Sequence, residues 1–279
     1  MDYKDAVKKI REELSTYIRK NQIQTLVLGI SGGIDSTLCA LLARPVCDEL
    51  GIPLIGRSLP ASSNSGGENS RAISIGSIFC TNFKELSIEK EYLELYRLAC
   101  NNFSEFEEEG NQNDILKGNI KARVRMILLY DIAGASDGMV LSTDNYTEYL
   151  LGFWTLHGDV GDYGMVQNLW KTEVYAMAEW IQNHEYSPVS ERGLAIKECI
   201  DADATDGLGI SKTDLDQILP GWEGNSRDGY AEVDSELLNH LRFPGHGDLD
   251  SPVLHRYYRT QFKRLNPVNI PRDRITKNY

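Results

Sequence analysis

The alternation of apolar and polar segments predicts a doubly wound α/β fold, a mostly parallel sheet with helices on both faces. Two observations carry that expectation. Short apolar runs of strand length, such as TLVLGI at 25–30 and GMVLS at 138–142, alternate with longer segments whose apolar residues recur at helical spacing. The first run also passes through Ser31-Gly32-Gly33 directly into one of those segments, forming a strand, glycine loop, helix unit. The 279 residues are expected to form one domain, 1–279.

The first segment, MDYKDAVKKIREEL, mixes charges at helical spacing and reads as a helix. It lacks the apolar stretch of a signal peptide and the acid-poor composition of a transit peptide. Thr25 to Ile30 is short and partly β-branched, as a buried strand should be. From Ser36 to Leu50, residues Leu38, Leu41, Leu42, Val46 and Leu50 mark a helix that stops at Gly51. Ile52 to Ser58 reads as a second strand, and the polar stretch Ala61 to Ser70 as a loop leading into a helix. A short strand is expected near Asn82 to Leu86, then helices at Glu89 to Phe106 and Asp114 to Gly134, the second carrying Lys121, Arg123 and Arg125. Gly138 to Ser142 is a further buried strand. Thr143-Asp144-Asn145 follows at its carboxyl end, the edge where open α/β sheets receive ligands. Lys171 to Asn183 reads as a helix, Ile200 to Gly224 as a mobile loop rich in Asp, Gly and Thr, and HRYYRTQFKR at 255–264 as a basic helix.

Composition narrows the function. A net charge of −12 opposes binding to nucleic acid, whose recognition needs a basic surface. No apolar run approaches the roughly 20 residues that cross a bilayer, so no membrane partner is expected. Five cysteines, Cys39, Cys47, Cys80, Cys100 and Cys199, lack CxxC spacing and are odd in number, which fits a reducing cytoplasm. The five histidines show no HExxH or paired-ligand spacing, so no zinc site is expected.

The most informative stretch is Gly29-Ile30-Ser31-Gly32-Gly33-Ile34-Asp35-Ser36. Adjacent glycines let the backbone turn sharply and aim amides inward, and the following helix offers unpaired N–H groups to phosphate oxygens. The stretch has neither the GK[ST] ending of a Walker loop nor the GxGxxG dinucleotide pattern. Asp35 would repel phosphates unless a divalent cation stood between them, which points to magnesium. The alternative is a plain tight turn in which Asp35 and Ser36 cap the helix.

SGGIDS after a buried strand resembles the PP-loop of the N-type ATP pyrophosphatases, enzymes of the adenine nucleotide alpha hydrolase-like fold. Two further segments are similar to the ammonia-dependent NAD synthetases within that group: GNIKARVRM at 118–126, and STDNYTEYLLGF at 142–153 against the family's GTDxxxExxxGF. The resemblance implies ATP-dependent amidation of nicotinate adenine dinucleotide (deamido-NAD) to NAD with ammonia, through an acyl-adenylate, releasing AMP and pyrophosphate. It implies that Gly29 to Ser36, Thr143, Lys171 and Thr205 bind ATP, that Asp35 and Glu148 hold magnesium, and that Asp35 and Lys171 are catalytic. Arg123, Asp162 and Lys263 would hold the acceptor, and the enzyme would be a homodimer. No segment is spare for a glutamine amidase domain, so ammonia is the expected nitrogen donor. Two departures fall on the acceptor side. Thr155-Leu156-His157-Gly158-Asp159 stands where the family has TKYGD, and Phe262-Lys263 stands for a His-Lys pair. They motivate the alternative of a PP-loop amide ligase acting on nicotinate mononucleotide or another carboxylate.

Overall fold

Helix α1 (Tyr3–Asn21) starts where the Asp2 carboxylate accepts from the Asp5 amide, and it buries Val7, Leu14 and Ile18. Strand β1 (Thr25–Gly29) leads through the glycine turn into α2 (Ile34–Leu50), which contains Pro45. Proline has no N–H for the carbonyl of Leu41 one turn earlier. Arg11 of α1 donates from Nη2 to that carbonyl at 3.0 Å while Nη1 and Nη2 both donate to Glu185, so the proline becomes an anchoring point between helices.

The computed structural model describes residues 1–102, 111–159, 161–244 and 250–275. After α2 come β2 (Leu54–Ser58), α3 (Gly66–Phe79), β3 (Asn82–Glu85), α4 (Glu89–Asn102), α5 (Asn111–Ala135) and β4 (Gly138–Ser142). Then follow α6 (Tyr146–Leu151), β5 (Tyr163–Gly164), α7 (Lys171–Glu185), α8 (Glu191–Asp201), α9 (Leu215–Ile218) and α10 (Ser226–Arg242). The described chain closes with α11 (Pro252–Arg259), α12 (Gln261–Arg264) and α13 (Arg272–Ile275).

The strands pair in the order β3-β2-β1-β4-β5, all parallel. Both faces are covered, because side chains alternate along a strand. Leu26 and Leu28 of β1 join the core formed with α1, α2, α3, α7 and α8, whereas Val27 packs with Val140 and with Ala133 of α5 on the opposite face. Strand β1 has β2 on one side and β4 on the other, so the sheet changes its direction of growth there. The carboxyl ends of β1 and β4 therefore open a crevice between them. A second apolar cluster joins α6, α9, α10 and α11 through Leu151, Leu215, Tyr230, Leu237 and Leu254, and holds α6 beside that crevice.

Three expectations need correction. Helix α3 begins inside the polar stretch read as a loop, because Ser65 and Glu68 form a reciprocal capping box. The segment 200–224 is not all loop: it contains the end of α8 and the short α9, with Leu208, Leu215 and Ile218 buried. The basic C-terminal helix is broken at Thr260, whose hydroxyl donates to the Arg256 carbonyl, giving α11 and α12. Residues 103–106, expected to extend α4, lie outside the described residues.

Candidate active site

The glycine turn is shaped by a close approach. Gly32 has φ of 80°, and a side chain there would meet the Glu68 carbonyl oxygen at 2.4 Å and the Ala72 nitrogen at 2.8 Å, so only glycine lets the turn lie against α3. Arg71 donates to the Gly32 carbonyl at 2.9 Å and fixes that contact. Within the turn, the Ser31 amide donates to Ser36 Oγ at 3.3 Å, and Ser36 Oγ donates to the Gly33 carbonyl at 3.1 Å. Helix α2 is capped by Gly33 with no side-chain hydrogen bond, so its first amides stay available to a ligand. Ser36 thus bonds within the turn, whereas the Asp35 carboxylate caps nothing and points across the crevice.

Asp35 Oδ1 accepts from Asn145 Nδ2 at 2.8 Å, and Oδ2 accepts from Lys171 Nζ at 2.6 Å. The same ammonium reaches Glu148 Oε1 at 3.0 Å. Local sequence places each group. Asn145 and Glu148 form the capping box that starts α6, and α7 starts at Lys171 itself. Asp234 of α10 accepts from the Thr172 amide at 2.9 Å and from the Thr147 hydroxyl, locking the starts of α6 and α7 together. A lysine in a first helical turn is unfavourable to the dipole. Here two carboxylates surround it, and its ammonium lies 5.1 Å from the Tyr230 ring centroid.

Lys171 is 2 % exposed. Burial presses its pKa down, but Asp35 and Glu148 override burial and hold it well above the usual lysine range. Burial lifts Glu148 to about 7 in spite of the opposing Lys171 ammonium. Asp144 is likewise raised, by burial and then by Glu148. Burial lifts Asp214 to about 7; Tyr230 donates to its Oδ2 at 3.1 Å, and its Oδ1 has no hydrogen-bond partner among the described residues.

These groups border a cavity of about 610 Å³ at the crevice. Every residue of 29–36 except Gly32 lines it, as do Thr143, Glu148, Lys171, Thr205 and Lys263. Thr205, from the segment before α9, donates its hydroxyl to Glu68. Lys263 donates to the carbonyls of Gly152, at 2.8 Å, and Trp154, and burial depresses it to about 8 with help from Arg256. Arg123 and Asp162 lie outside the cavity wall. Arg123 donates to the Leu156 carbonyl at 3.3 Å, and Asp162 accepts from the Val140 amide at 2.8 Å and from the Tyr130 hydroxyl at 3.1 Å, closing the edge of β4. Asn145 and Arg125 carry no individual role in the sequence reading and Asp214 does not figure in it; the N-x-x-E spacing of a capping box singles out Asn145.

The donor chemistry fits magnesium. Asp35 and Glu148 offer hard carboxylate oxygens brought together by the Lys171 ammonium, and this ion binds through one or two carboxylates completed by phosphate oxygens and water. Among the described residues no group of three or more His, Cys, Asp or Glu side chains could hold a metal by itself.

Comparison with known proteins identifies the group. The chain matches the NAD synthase family model over residues 6–267. It belongs to the NAD synthase family. Among curated relatives, the NH3-dependent NAD(+) synthetase of Thermococcus sibiricus is 31 % identical over 225 residues, covering 78 % of this chain and 81 % of that protein. The Campylobacter jejuni protein of the same name is 28 % identical over 245 residues, covering 87 % of this chain and 93 % of its own. A solved NH3-dependent NAD synthetase of C. jejuni, in complex with the nitrate ion, superposes with a TM-score of 0.65 at 25 % identity over 97 % of this chain and 100 % of that one. The NMN synthetase of Francisella tularensis superposes with a TM-score of 0.73 at 24 % identity over 97 % and 99 % of the two chains, which shows the shared fold. This NAD synthase family member is thus a ligase with an all-parallel sheet like that of its relatives.

Proposed function

We propose that the protein makes NAD from nicotinate adenine dinucleotide, ATP and ammonia, forming AMP and pyrophosphate. The observation that carries this reading is the convergence of the PP-loop, Asp35, Glu148 and Lys171 on one cavity in a chain of the NAD synthase family. An acceptor carboxylate oxygen attacks the α-phosphorus in line, the bond to the bridging oxygen breaks, and pyrophosphate leaves toward the free amides of α2. Ammonia then attacks the acyl carbon, expels AMP and loses a proton, leaving the amide. Residues 29–36 with Thr143 and Thr205 hold the nucleotide, and Lys171 offers its ammonium to charge developing on the leaving group. Magnesium bound by Asp35 and Glu148 would neutralise phosphate charge. Positioning and electrostatics suffice, so no side-chain nucleophile is assigned.

On the acceptor side we assign Lys263, which lines the cavity, and Arg123, which faces the segment of Leu156. Asp162 is bound to the backbone of β4, so its contribution is indirect. The chain is proposed to work as one domain, in a cytoplasmic homodimer; among the described residues no helix is long and apolar enough to cross a membrane. Leu156 in the lysine position and the half-exposed Phe262 at the cavity wall favour a second acceptor, nicotinate mononucleotide.

Mass-spectrometric product analysis with ATP, magnesium, ammonium and both acceptors tests the reading. AMP, pyrophosphate and NAD are expected, and ADP with orthophosphate would overturn it. A preference of about tenfold in kcat/KM, equal to about 1.4 kcal/mol, decides between the two acceptors.

A further inference from the structure

Helix α5 carries a stripe that meets a distant segment of chain; of its three residues only Arg125 lines the cavity. Gly118, Lys121 and Arg125 are spaced i, i+3 and i+7, so they lie on one face, whereas Arg123 points elsewhere. All three touch the segment 207–210. A side chain at Gly118 would come within 3.0 Å of Ile210 and 3.1 Å of Leu208. Lys121 is buried, donates to the Leu208 carbonyl at 2.8 Å and sits 5.0 Å from the centre of the Tyr92 ring. Arg125 donates to the carbonyl of Leu59 at 3.0 Å, to Asn64 Oδ1 at 3.0 Å and to the carbonyl of Gly207 at 3.4 Å.

Both cations are desolvated, and burial lowers the pKa of each. Among the described residues neither forms an ion pair with a carboxylate, so they satisfy themselves on oxygen atoms of two loops. The second loop closes the arrangement: Ser63 Oγ donates to the Gly207 carbonyl at 3.2 Å, and Ser63 lies where a side chain on Gly209 would meet it at 2.8 Å. Two residues before Gly207, Thr205 reaches Glu68 at the start of α3, over the glycine turn.

We infer that the Gly118–Lys121–Arg125 stripe is the seat of the 205–210 segment, and that these are positioning residues which hold Thr205 over the nucleotide. The inference rests on the proposed function only in assigning Thr205 to ATP. Lys121 and Arg125 supply the fixed donors, and Gly118 supplies the clearance that lets Leu208 and Ile210 lie down on α5. Removing either leaves the segment open for part of the time, and a nucleotide must then pay for its closure.

The test is hydrogen–deuterium exchange of amides 205–211 in the full chain, with calorimetric binding of α,β-methylene-ATP and magnesium, for Lys121→Met, Arg125→Met and Gly118→Val. If the segment is seated in about one-tenth of the variant molecules, exchange there rises and analogue affinity falls about tenfold, while amides of β1 and β4 keep their protection. Gly118→Val leaves every charge in place, so it decides the matter if a cation variant fails to fold. Unchanged exchange at 205–211 in folded Gly118→Val overturns the seat. Faster exchange with unchanged analogue affinity overturns the positioning role. Failure of the wild type to form AMP would refute the proposed function instead, and the exchange comparison would still decide the seat.

Discussion

Lys171 Nζ lies 2.6 Å from Asp35 Oδ2, which joins the first turn of α7 to the first turn of α2 across the crevice of the sheet. Glu148 shares the same ammonium at 3.0 Å, so one cation organises both carboxylates assigned to magnesium. Removing one partner of a buried ion pair leaves uncompensated charge, at a cost of about 3–5 kcal/mol. Lys171→Met should therefore lower the stability of the metal-free protein by about that amount, besides abolishing turnover. Urea unfolding checks it, and wild-type stability would mean that the ammonium is not held between the two carboxylates.

The pH dependence follows from Asp214. Burial raises its carboxyl from the ordinary 3.8 to about 7 in the folded protein. Between those values the folded state keeps a proton that the unfolded chain has lost. The stabilisation is thus complete below about pH 4 and disappears as pH rises through about 7, with a slope of at most about 1.4 kcal/mol per pH unit. Asp214→Asn should flatten that part of the stability curve, measured by urea unfolding at a series of pH values from 4 to 8. An unchanged slope would show that Asp214 titrates alike in both states.

Gly32 offers a test of the turn itself. A methyl group there meets backbone atoms of α3 at 2.4 and 2.8 Å, and φ of 80° is strained for alanine. Gly32→Ala should cost about 1–3 kcal/mol of stability and displace the turn from the nucleotide. Thermal unfolding and the KM for ATP should both shift; a variant with wild-type KM would show that the turn tolerates movement.

Asp162 separates a sheet clasp from a substrate ligand. Its carboxylate satisfies the Val140 amide, and deleting it orphans that donor at a cost of about 1–3 kcal/mol. Asp162→Ala should reduce stability by about that much while KM for the acceptor stays within about twofold. A tenfold rise in that KM at unchanged stability would return Asp162 to direct acceptor contact.

Much of this organisation is legible in local patterns. The runs at 25–30, 52–58 and 138–142 become β1, β2 and β4 because short apolar segments fit a sheet covered on both faces, whereas the polar 82–86 becomes the exposed edge strand β3. The glycine turn is legible because few residues can adopt φ near 80° against a neighbouring helix. Harder to read were α8 and α10, which sit among polar residues with weaker punctuation, and the two-residue β5. Asp162, placed on the acceptor side by the family resemblance, hydrogen-bonds to Val140 of β4 and to Tyr130 of α5, partners that no motif spells out.

The sequence by itself determined the fold class and the glycine turn between β1 and α2, because those depend on periodicity and on backbone freedom over a few neighbours. Only the tertiary structure decided that Asp35 meets Glu148 and Lys171, each more than a hundred positions away, at one ammonium, and that Lys121 and Arg125 grip a distant loop while Arg123 does not. Long-range proximity is set by how the sheet orders its strands and by which helices pack on each face. Burial then decides which charges must find partners, a property that no local stretch of residues carries.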